Sequence, residues 1–515
     1  MSSIGFRDSS VVIIETSRTV IRGGLGLHEL LRTPSIEIQA RVGLRPQQYA
    51  AAFEGGYGNR LTAAGGELSG PLASTSTSRA PSAPPQPQTL KVTDYLVGPQ
   101  LDDALAAEQD IIVSWPFAKG QITDFMQAEA LWKYVLFTGL QLRRVQNESP
   151  VLLSLISGLP RAAYERTGQI FFERFNVAAF SILDRPMAQL YSAGALSGLV
   201  LDISDTHTDL TPIYDGLPLS GARTTAPVGS RHCERFLAHL LRNNTSVSGV
   251  LAELTIPPEE HPAALRALAR QVWRAGLVRV PVDGMAVREA EDEGVTDIAA
   301  VLVAGKEKAV IESGMKRRLT AKASAAEQAR AKEIEALDLI TVEFRGKEVT
   351  LGKERHRFCE PLFDLNAFTL GKSTTPDEHA SPEGDSIPMT LQDAVNHAIR
   401  LTDVDQRQYI WHGLMVTGDI ATYVKGIAPA LQTYLASFIP SSADQYNEVQ
   451  PRQIRTVGVP EYFAEYREKG DGLAAFLGSS IVAKVTFHDG KNFISKTDYA
   501  EKGPQAVLEM SASLF

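Results

Sequence analysis

The stretch Leu201-Asp-Ile-Ser-Asp-Thr-His-Thr-Asp-Leu-Thr-Pro-Ile-Tyr-Asp-Gly216 decides the fold of this chain. It begins as an apolar strand that ends in an aspartate, passes through a short polar turn, and resumes as a threonine-rich strand. The second strand closes with Pro-Ile-Tyr, an acid and a glycine. We therefore predict a β-hairpin with Asp202 and Asp205 at its turn.

The composition is that of an ordinary globular protein with room for two or more domains. The 515 residues are 44% apolar and 22% charged, and the net charge of -9 argues against a broad nucleic-acid-binding surface. Two cysteines cannot form a disulfide framework and fit a reducing compartment. There is no signal-peptide pattern and no apolar run of about 18 residues. We expect a soluble intracellular protein, cytosolic or nuclear, with no membrane partner.

Apolar strands alternate with helical patterns along much of the chain. The first strands, at 11–14 and 19–22, predict a hairpin with Glu15–Arg18 at its turn. Further on, helical patterns at 129–142 and 165–175 alternate with strands at 151–157 and 198–202. This alternation predicts an α/β fold.

Three segments interrupt the alternation. Residues 61–88 are rich in Gly, Ser, Thr and Pro, which predicts a disordered loop because they bury too little apolar surface. Residues 315–339 are rich in Ala, Lys, Arg and Glu and predict a solvated or frayed helix. Residues 372–386 are polar and acidic and predict a mobile loop.

The spacing of several familiar motifs excludes them. Gly371-Lys372-Ser373 resembles the end of a P-loop, but Asn366 stands where that motif needs a glycine. Gly24-Leu25-Gly26 has Glu29 at the third glycine position of the dinucleotide fingerprint. His-x-x-x-His, Cys-x-x-Cys and Gly-x-Ser-x-Gly do not occur in the sequence. We therefore predict no metal site and no serine-hydrolase nucleophile.

Ordered motifs through most of the chain resemble those of the actin superfamily. The stretch at 201–216 resembles the second phosphate-binding hairpin of actin, and Leu190–Gly194 resembles its hinge strand-to-helix region. The most specific match, Gly346–Phe363, resembles a strand pair of actins. The matching segments are 115–132, 151–153, 170–176, 190–194, 201–216, 346–363, 477–483 and 498–504.

The resemblance implies an α/β actin-like ATPase fold. Such a fold has two lobes, each a mixed β-sheet flanked by helices, and four subdomains around a central cleft. By resemblance, subdomain 1 comprises 1–36, 92–192 and 474–515, and subdomain 2 comprises 37–91 with a disordered Pro/Ser-rich insertion. Subdomain 3 comprises 193–228 and 365–473, and subdomain 4 comprises 229–364 with a charged helical insertion.

Within the superfamily, the chain resembles the fungal actin-related protein 9 class. The resemblance lies in the His-Thr-Asp run at 207–209, the Pro-Glu-Tyr-Phe run at 460–463 and the Lys-Gly-Pro run at 502–504. It implies a nuclear subunit of SWI/SNF and RSC chromatin-remodelling complexes. Such a subunit would pair with a second actin-related protein and bind a helical segment of a Snf2-type motor, with no direct nucleic-acid site. Two alternatives stay open: an actin-like ATP-hydrolysing switch or cytoskeletal protein, and a subunit of another nuclear chromatin complex.

The resemblance also locates a nucleotide site that has changed. Phosphate-binding hairpins need glycines because successive N–H groups form an anion nest only at positive φ. Serines and threonines replace those glycines in both hairpins, and an aspartate stands where a histidine would orient the attacking water, so it would repel the γ-phosphate. The residues of this degenerate site are Glu15, Ser17, Arg18, Thr19, Arg22, Arg185, Asp202, Ser204, Asp205, Thr206, Asp209 and Gly418.

Two interpretations of this site remain. In one, Arg18, Arg22 and Arg185 compensate for the lost glycines and retain ATP with Mg²⁺. In the other, which we favour, the polar residues hydrogen-bond one another and close the cleft. We therefore predict no catalytic residue, no cofactor and a pseudo-ATPase.

The same resemblance predicts a surface for a partner helix. Actin-fold proteins in remodellers bind a long motor helix in a groove between subdomains 1 and 3, where aliphatic and aromatic side chains anchor it. The corresponding residues are Tyr191, Ala193, Leu196, Val482, Val485 and Phe493. Filament formation is not expected, because insertions at 61–91 and 372–386 replace surfaces through which actin protomers pack.

Overall fold

The computed structural model describes residues 6–30, 33–53, 90–145, 147–281, 338–370, 388–439, 453–488 and 492–510. The chain divides into two compact units, each with its own apolar core. The first unit comprises residues 1–185 and 483–514, and the second comprises residues 186–482. Among the described helices, none is long and apolar enough to cross a membrane.

A six-stranded mixed sheet forms the centre of the first unit. Its strands lie in the order β16-β8-β7-β1-β2-β3, with β1, β7 and β8 parallel and the other neighbours antiparallel. A separate small sheet has the order β5-β4-β6. The strands are β1 Val12–Thr16, β2 Val20–Leu25, β3 Ile36–Gln39, β4 Val42–Leu44, β5 Leu96–Val97, β6 Ile112–Ser114, β7 Pro150–Leu155, β8 Ala179–Asp184 and β16 Ile494–Ser495.

Helices cover this sheet and supply the aromatic part of the core. Asp124 begins the third helix by accepting the backbone N–H groups of Met126 and Gln127. Trp132 from that helix packs beside Phe171, and both are fully buried. The helices are α1 Pro46–Phe53, α2 Pro99–Ala106, α3 Phe125–Lys133, α4 Arg161–Gln169, α5 Arg185–Ser192, α15 Ala474–His488, α16 Lys496–Lys502 and α17 Ala506–Met510, with π-helical turns at Tyr134–Gly139 and Ile170–Arg174. The division between the units falls within α5 and α15.

The second unit has a mixed sheet in the order β11-β10-β9-β15, with β12 pairing β10. Strand β15 runs parallel to β9, whereas β10 runs antiparallel to it. A separate hairpin pairs β13 with β14. The strands are β9 Gly198–Ile203, β10 Thr208–Tyr214, β11 Leu217–Pro218, β12 Thr224–Ala226, β13 Ile340–Phe344, β14 Lys347–Leu351 and β15 Leu414–Gly418.

The helices of the second unit bury apolar stripes against this sheet and against one another. In α8 the stripe includes Leu265, Leu268 and Val272, spaced three to four residues apart as one helix face requires. The helices are α6 Ser230–Leu241, α7 Thr245–Glu253, α8 His261–Arg274, α9 Leu365–Leu370, α10 Leu391–Arg400, α11 Val404–Trp411, α12 Asp419–Tyr423, α13 Ile427–Leu435 and α14 Ala464–Glu468, with a 3₁₀ helix at Lys353–Leu362.

The architecture confirms the predicted α/β class and corrects the position of the first turn. Glu15, predicted to lie at the turn, belongs to β1 and pairs with Arg22 of β2. The turn is therefore Ser17–Thr19. The strand continues past Ile14 because the charge of Glu15, although buried, is neutralised by arginine side chains.

Two other predicted segments contain elements different from those expected. Leu190–Gly194, expected to lead from strand to helix, lies at the end of helix α5, and Gly194 has a φ of +70° just beyond it. Gly346–Phe363, expected to be a strand pair, holds only the second strand, because Gly346 is in the turn between β13 and β14.

The predicted insertions at 61–88 and 372–386 lie outside the described residues, as does the insertion at 315–339 except for its last two residues. The division into four subdomains stays a prediction.

Candidate functional site

The turn of the first hairpin is closed by a serine side chain. Ser17 Oγ accepts the backbone N–H groups of Val20 at 2.9 Å and Thr19 at 3.3 Å. The Ser17 N–H itself donates to the Val20 carbonyl at 2.9 Å. Ser17, Arg18 and Thr19 all have negative φ, so the turn does not form the positive-φ nest in which N–H groups converge on an anion.

Arg18, at the tip of this turn, is anchored inside its own unit. Its Nη1 donates to the carbonyl of Ala118 at 2.7 Å, and only 7% of the residue is exposed. The guanidinium packs so closely on Gly120 that a Cβ there would stand 2.6 Å from Nη2. Arg18 therefore contributes to the packing of the 115–120 segment.

Three predicted residues meet in a buried ion cluster beside the same hairpin. Glu15 Oε1 lies 3.3 Å from Nη1 of Arg22 and 3.1 Å from Nε of Arg185. Their side chains are 1%, 4% and 2% exposed, respectively. Nε of Arg22 also donates to Glu37 Oε2 at 2.8 Å. The Glu15 carboxylate therefore forms ion pairs with both arginines inside the first unit.

The second hairpin, between β9 and β10, is tied to the start of helix α6. Ser204 N–H donates to the His207 carbonyl at 2.9 Å, which closes the turn. The carbonyls of Ser204 and Asp205 accept the N–H groups of Ser230 at 3.0 Å and Arg231 at 2.8 Å. The turn therefore satisfies the first N–H groups of α6 with its own carbonyl oxygens.

The carboxylate of Asp205 forms an ion pair with Arg231, which lies in the first turn of α6. Burial raises the pKa of Asp205, and the nearby Arg231 guanidinium opposes that shift. Thr206, next in the turn, has its hydroxyl 2.8 Å from Nδ1 of His207.

Asp202 and Asp209 are directly opposite each other on β9 and β10. Asp209 accepts a hydrogen bond from the Thr225 hydroxyl at 2.8 Å. Gly418 ends β15 in register with Ile203, beside the same end of β9. Its φ of +103° lies in a region that favours glycine, so the backbone conformation at position 418 requires a glycine.

Comparison with known proteins identifies the family. The actin family model matches residues 8–510. The chain belongs to the actin family. It is also similar to a protein described as "SWI/SNF and RSC complexes subunit arp9" from Schizosaccharomyces pombe (strain 972 / ATCC 24843). The two are 25% identical over 554 aligned residues, which cover 98% of this chain and 99% of that protein.

In both hairpins of this actin-family chain, the polar groups described above bond to other groups of the chain. In the first hairpin, Ser17 Oγ accepts hydrogen bonds from two backbone N–H groups, and Glu15 forms ion pairs with two arginines. In the second, the turn is bound to α6 and its aspartate to Arg231. The described residues include no group of three or more His, Cys, Asp or Glu side chains that could hold a metal ion.

The residues predicted to bind a helix differ in exposure. In the second unit, Leu196 is 56% exposed, whereas Tyr191, Ala193 and Val482 are partly buried. In the first unit, Val485 is exposed on α15. Phe493 is nearly buried, with its ring 5.8 Å from Phe6 and 5.6 Å from Phe487, so it supports the fold of this unit from within.

The structure adds three residues that the sequence analysis did not select. Leu217 and Tyr409 are each 48% exposed, and the Tyr409 ring lies 5.6 Å from the Tyr214 ring. Tyr214 pairs with Leu217 across β10 and β11, and the Gly216 N–H donates to the Leu196 carbonyl at 2.8 Å. We call Leu196, Tyr214, Leu217 and Tyr409 the apolar strip. The Pro-Ile-Tyr run pointed to Tyr214, but no periodic pattern in α11 marks Tyr409.

Proposed function

We propose that this chain is a non-catalytic subunit of a nuclear ATP-dependent chromatin-remodelling complex. It pairs there with a second actin-related protein and binds a helical segment of the motor subunit. The observation that carries the proposal is the end-to-end similarity to the SWI/SNF and RSC subunit, which spans 98% of this chain and 99% of that protein. Similarity over the full length of both proteins supports a shared role more than a match to one domain would.

The hairpins support the non-catalytic part of the proposal. An ATPase of this fold would need N–H groups and cations directed at phosphates. Here those N–H groups are directed at Ser17 Oγ, and the cations Arg22 and Arg185 contact Glu15. The chain acts as a scaffold, and the ATP-driven step belongs to the motor.

The apolar strip supports the helix-binding part. A helix docks by placing an apolar stripe against aliphatic and aromatic side chains, and tyrosine is enriched among the residues that dominate such binding. Leu196, Leu217 and Tyr409 present this chemistry on the surface of the second unit. The residues Tyr191, Ala193, Val482, Val485 and Phe493 stay part of the predicted groove. Nuclear localisation follows from the proposed complex.

The test is mass spectrometry of proteins that co-purify with the tagged chain from a nuclear extract of its native cell. We expect a Snf2-type motor together with a second actin-related protein. Recovery of a histone-modifying complex without a motor would move the chain to another nuclear assembly. Recovery of cytoskeletal proteins, or of the chain alone, would reject the proposal.

The alternative of an active ATPase is tested separately with purified protein. Steady ATP turnover that is abolished by Asp202→Ala would establish it, because Asp202 and Asp205 are the acidic groups that an actin-type Mg²⁺ site would retain. We expect no turnover above buffer for either the native chain or the variant.

A further inference from the structure

Helices α6 and α8 of the second unit carry a concentration of positive charge. Together they contain five arginines and one glutamate, with no lysine and no aspartate, whereas acidic residues outnumber basic ones 60 to 51 in the whole chain. The net charge of the whole chain therefore conceals a local basic region. The five residues are Arg231 and Arg235 in α6 and Arg266, Arg270 and Arg274 in α8.

The arginines of each helix lie on one face, because residues four apart stack on the same side of an α-helix. Arg231 and Arg235 share a face of α6, and Arg266, Arg270 and Arg274 share a face of α8. None of the five is among the buried residues of its helix. Successive arginines on α8 are about 6 Å apart along the helix axis. We call these five residues the arginine face.

The two rows of arginines meet at the start of α6. The helices pack against each other, and Arg270 of α8 donates two hydrogen bonds to Glu234 of α6, at 2.9 and 2.7 Å. Burial raises the pKa of Asp205, and Arg231 and Arg270 both oppose that shift, so both guanidinium groups lie near one carboxylate. Against Asp205 and Glu234, the five arginines leave an excess of three positive charges. The acidic residues at 259–260 lie before α8, at the end farther from Arg270.

Two arginines of α8 are held in place by buried side chains. Glu234 is 3% exposed and binds Arg270 through Nε and Nη2, while half of the Arg270 side chain stays exposed. The Arg274 guanidinium lies over the Trp273 ring, 5.4 Å from its centroid, and Trp273 Nε1 donates to the same Glu234 at 2.9 Å. Side chains fixed in this way lose less conformational entropy when they bind an anion.

We propose that the arginine face binds the phosphate backbone of duplex DNA without reading its sequence. Guanidinium groups match phosphate oxygens in charge and in bidentate geometry, and all five positions hold arginine rather than lysine. The spacing of about 6 Å on α8 spans about two phosphates of one strand, which follow each other every 3.4 Å or so along the duplex axis. Phosphate contacts of this kind position a protein on DNA and carry no sequence information. This inference goes beyond the proposed function and does not depend on it.

A solvated face without a ligand makes a different prediction. If the arginines served only solubility and the packing of α6 on α8, their removal would leave the salt dependence of DNA binding unchanged. If they contact phosphates, each contact releases counterions from the DNA. The slope of log K against log salt then decreases by about 1 for each contact that is removed.

The experiment is fluorescence anisotropy of a labelled duplex of about 30 base pairs, titrated with the purified full-length chain between about 50 and 200 mM salt. The native chain is compared with the double variant Arg266→Gln with Arg274→Gln, which leaves the Glu234–Arg270 ion pair in place. A second double variant, Arg266→Lys with Arg274→Lys, keeps both charges.

The matched control is Arg143→Gln with Arg144→Gln. These two arginines are exposed on the first unit, so the control removes the same net charge from a different surface. Thermal unfolding of every variant verifies that it is folded.

We expect the native chain to bind the duplex with a Kd of roughly 1–100 µM at the lowest salt. The glutamine variant of α8 should lose at least about tenfold in affinity, and its salt slope should decrease by about 2. The lysine variant should keep the slope and lose only about threefold in affinity, because lysine contacts phosphate as a point charge. The control should stay within about twofold of the native chain.

The proposal is overturned if the native chain does not bind the duplex at the lowest salt, or if the control loses as much affinity as the glutamine variant. Tighter binding of poly-L-glutamate than of DNA, lost in the same variant, would also overturn it in favour of an acidic protein surface.

Where the double glutamine variant does not fold, Arg266→Gln alone replaces it and keeps the contact between Arg274 and Trp273. Its salt slope should decrease by about 1, and an unchanged slope overturns the proposal. Failure of the proposed function would appear separately, as the absence of remodeller subunits in the co-purification.

Discussion

Gly418 lies against the backbone of Ile203, where a Cβ atom at position 418 would stand 2.2 Å from the Ile203 carbonyl oxygen. The contact occurs where β15 and β9 end side by side, immediately before the Ser204 turn. The position of the second hairpin relative to its own sheet therefore depends on the absence of a side chain at residue 418.

Gly418→Ala should lower the free energy of unfolding by about 3 kcal/mol or more, because the backbone conformation is strained for any L-residue and the new Cβ meets main-chain atoms. Urea denaturation measures the change. The matched control is Gly249→Ala in α7, where an added Cβ has no neighbour within 4 Å. It should leave stability unchanged or raise it by up to about 1 kcal/mol. Equal effects of the two substitutions would contradict the role assigned to Gly418.

Glu234 should be a sensitive charged position of the second unit. Its carboxylate is buried and accepts two hydrogen bonds from Arg270, at 2.9 and 2.7 Å, and one from Trp273 Nε1 at 2.9 Å. Glu234→Ala should cost about 2–3 kcal/mol of unfolding free energy, because the buried Trp273 indole N–H loses its acceptor, whereas the half-exposed Arg270 side chain returns to water. Urea denaturation checks this, with exposed Glu253→Ala as the control. A loss below about 1 kcal/mol would show that water replaces the carboxylate.

His232 should make stability depend on pH below neutrality. Burial, reinforced by Arg235 and Arg231, lowers the pKa of His232 to about 3. Its Nδ1 accepts the Gly229 N–H at 3.1 Å, which requires the neutral ring. Because the folded pKa lies below the unfolded value of about 6.5, its stabilising contribution is complete above pH 6.5 and is lost progressively as the pH falls towards 3.

The measurement is urea denaturation at pH 7.5 and pH 5.5. The His232 contribution alone should reduce the unfolding free energy of the native chain by about 1.4 kcal/mol between these values. Between the same two pH values, the unfolding free energy of His232→Gln should fall by about 1.4 kcal/mol less than that of the native chain. This difference does not depend on the absolute stability of the variant. The same pH dependence in both proteins would assign the effect to other groups.

Restoring glycines to the first turn should not restore ATP binding. The double variant Ser17→Gly with Thr19→Gly removes the hydroxyl that accepts the Val20 N–H, and should cost about 1–2 kcal/mol of unfolding free energy. Glu15 still occupies Arg22 and Arg185 in this variant. We therefore expect no shift of Tm on addition of MgATP. Stabilisation by MgATP in the variant but not in the native chain would show that the two side chains alone block the nucleotide.

Tyr409→Ala should weaken binding of the motor helix without unfolding the chain. Tyr409 is half exposed and rests on Tyr214, so its loss removes contact area from the apolar strip and leaves the core intact. We expect at least a tenfold loss of affinity for the helical segment recovered by co-purification, as for a central interface tyrosine. Tyr462→Ala, at a tyrosine that is 77% exposed outside the strip, is the control. Equal affinities of the two variants would exclude the strip from the interface.

Local patterns were enough to predict the class of fold. The alternation of apolar strands and helical stretches predicted the α/β architecture, and the run from Leu201 to Gly216 predicted the β9–β10 hairpin in its correct place. These features depend on neighbours close in sequence, whose periodicity reports burial. The first turn was placed two residues too early, because Glu15 looked like a turn residue until its partners were known.

The sequence by itself thus predicted the α/β class and the β9–β10 hairpin, and its resemblance to actins predicted the actin-like fold. Only the tertiary structure decided which distant residues the polar and exposed side chains meet. Glu15 meets Arg185 across 170 positions, Asp205 meets Arg231 at the start of α6, and Tyr409 meets Tyr214 on a surface that no pattern in α11 marks. The physical reason is that hydrophobic periodicity specifies which face of an element is buried, whereas the partner of a buried charge or an exposed ring is set by how distant elements pack.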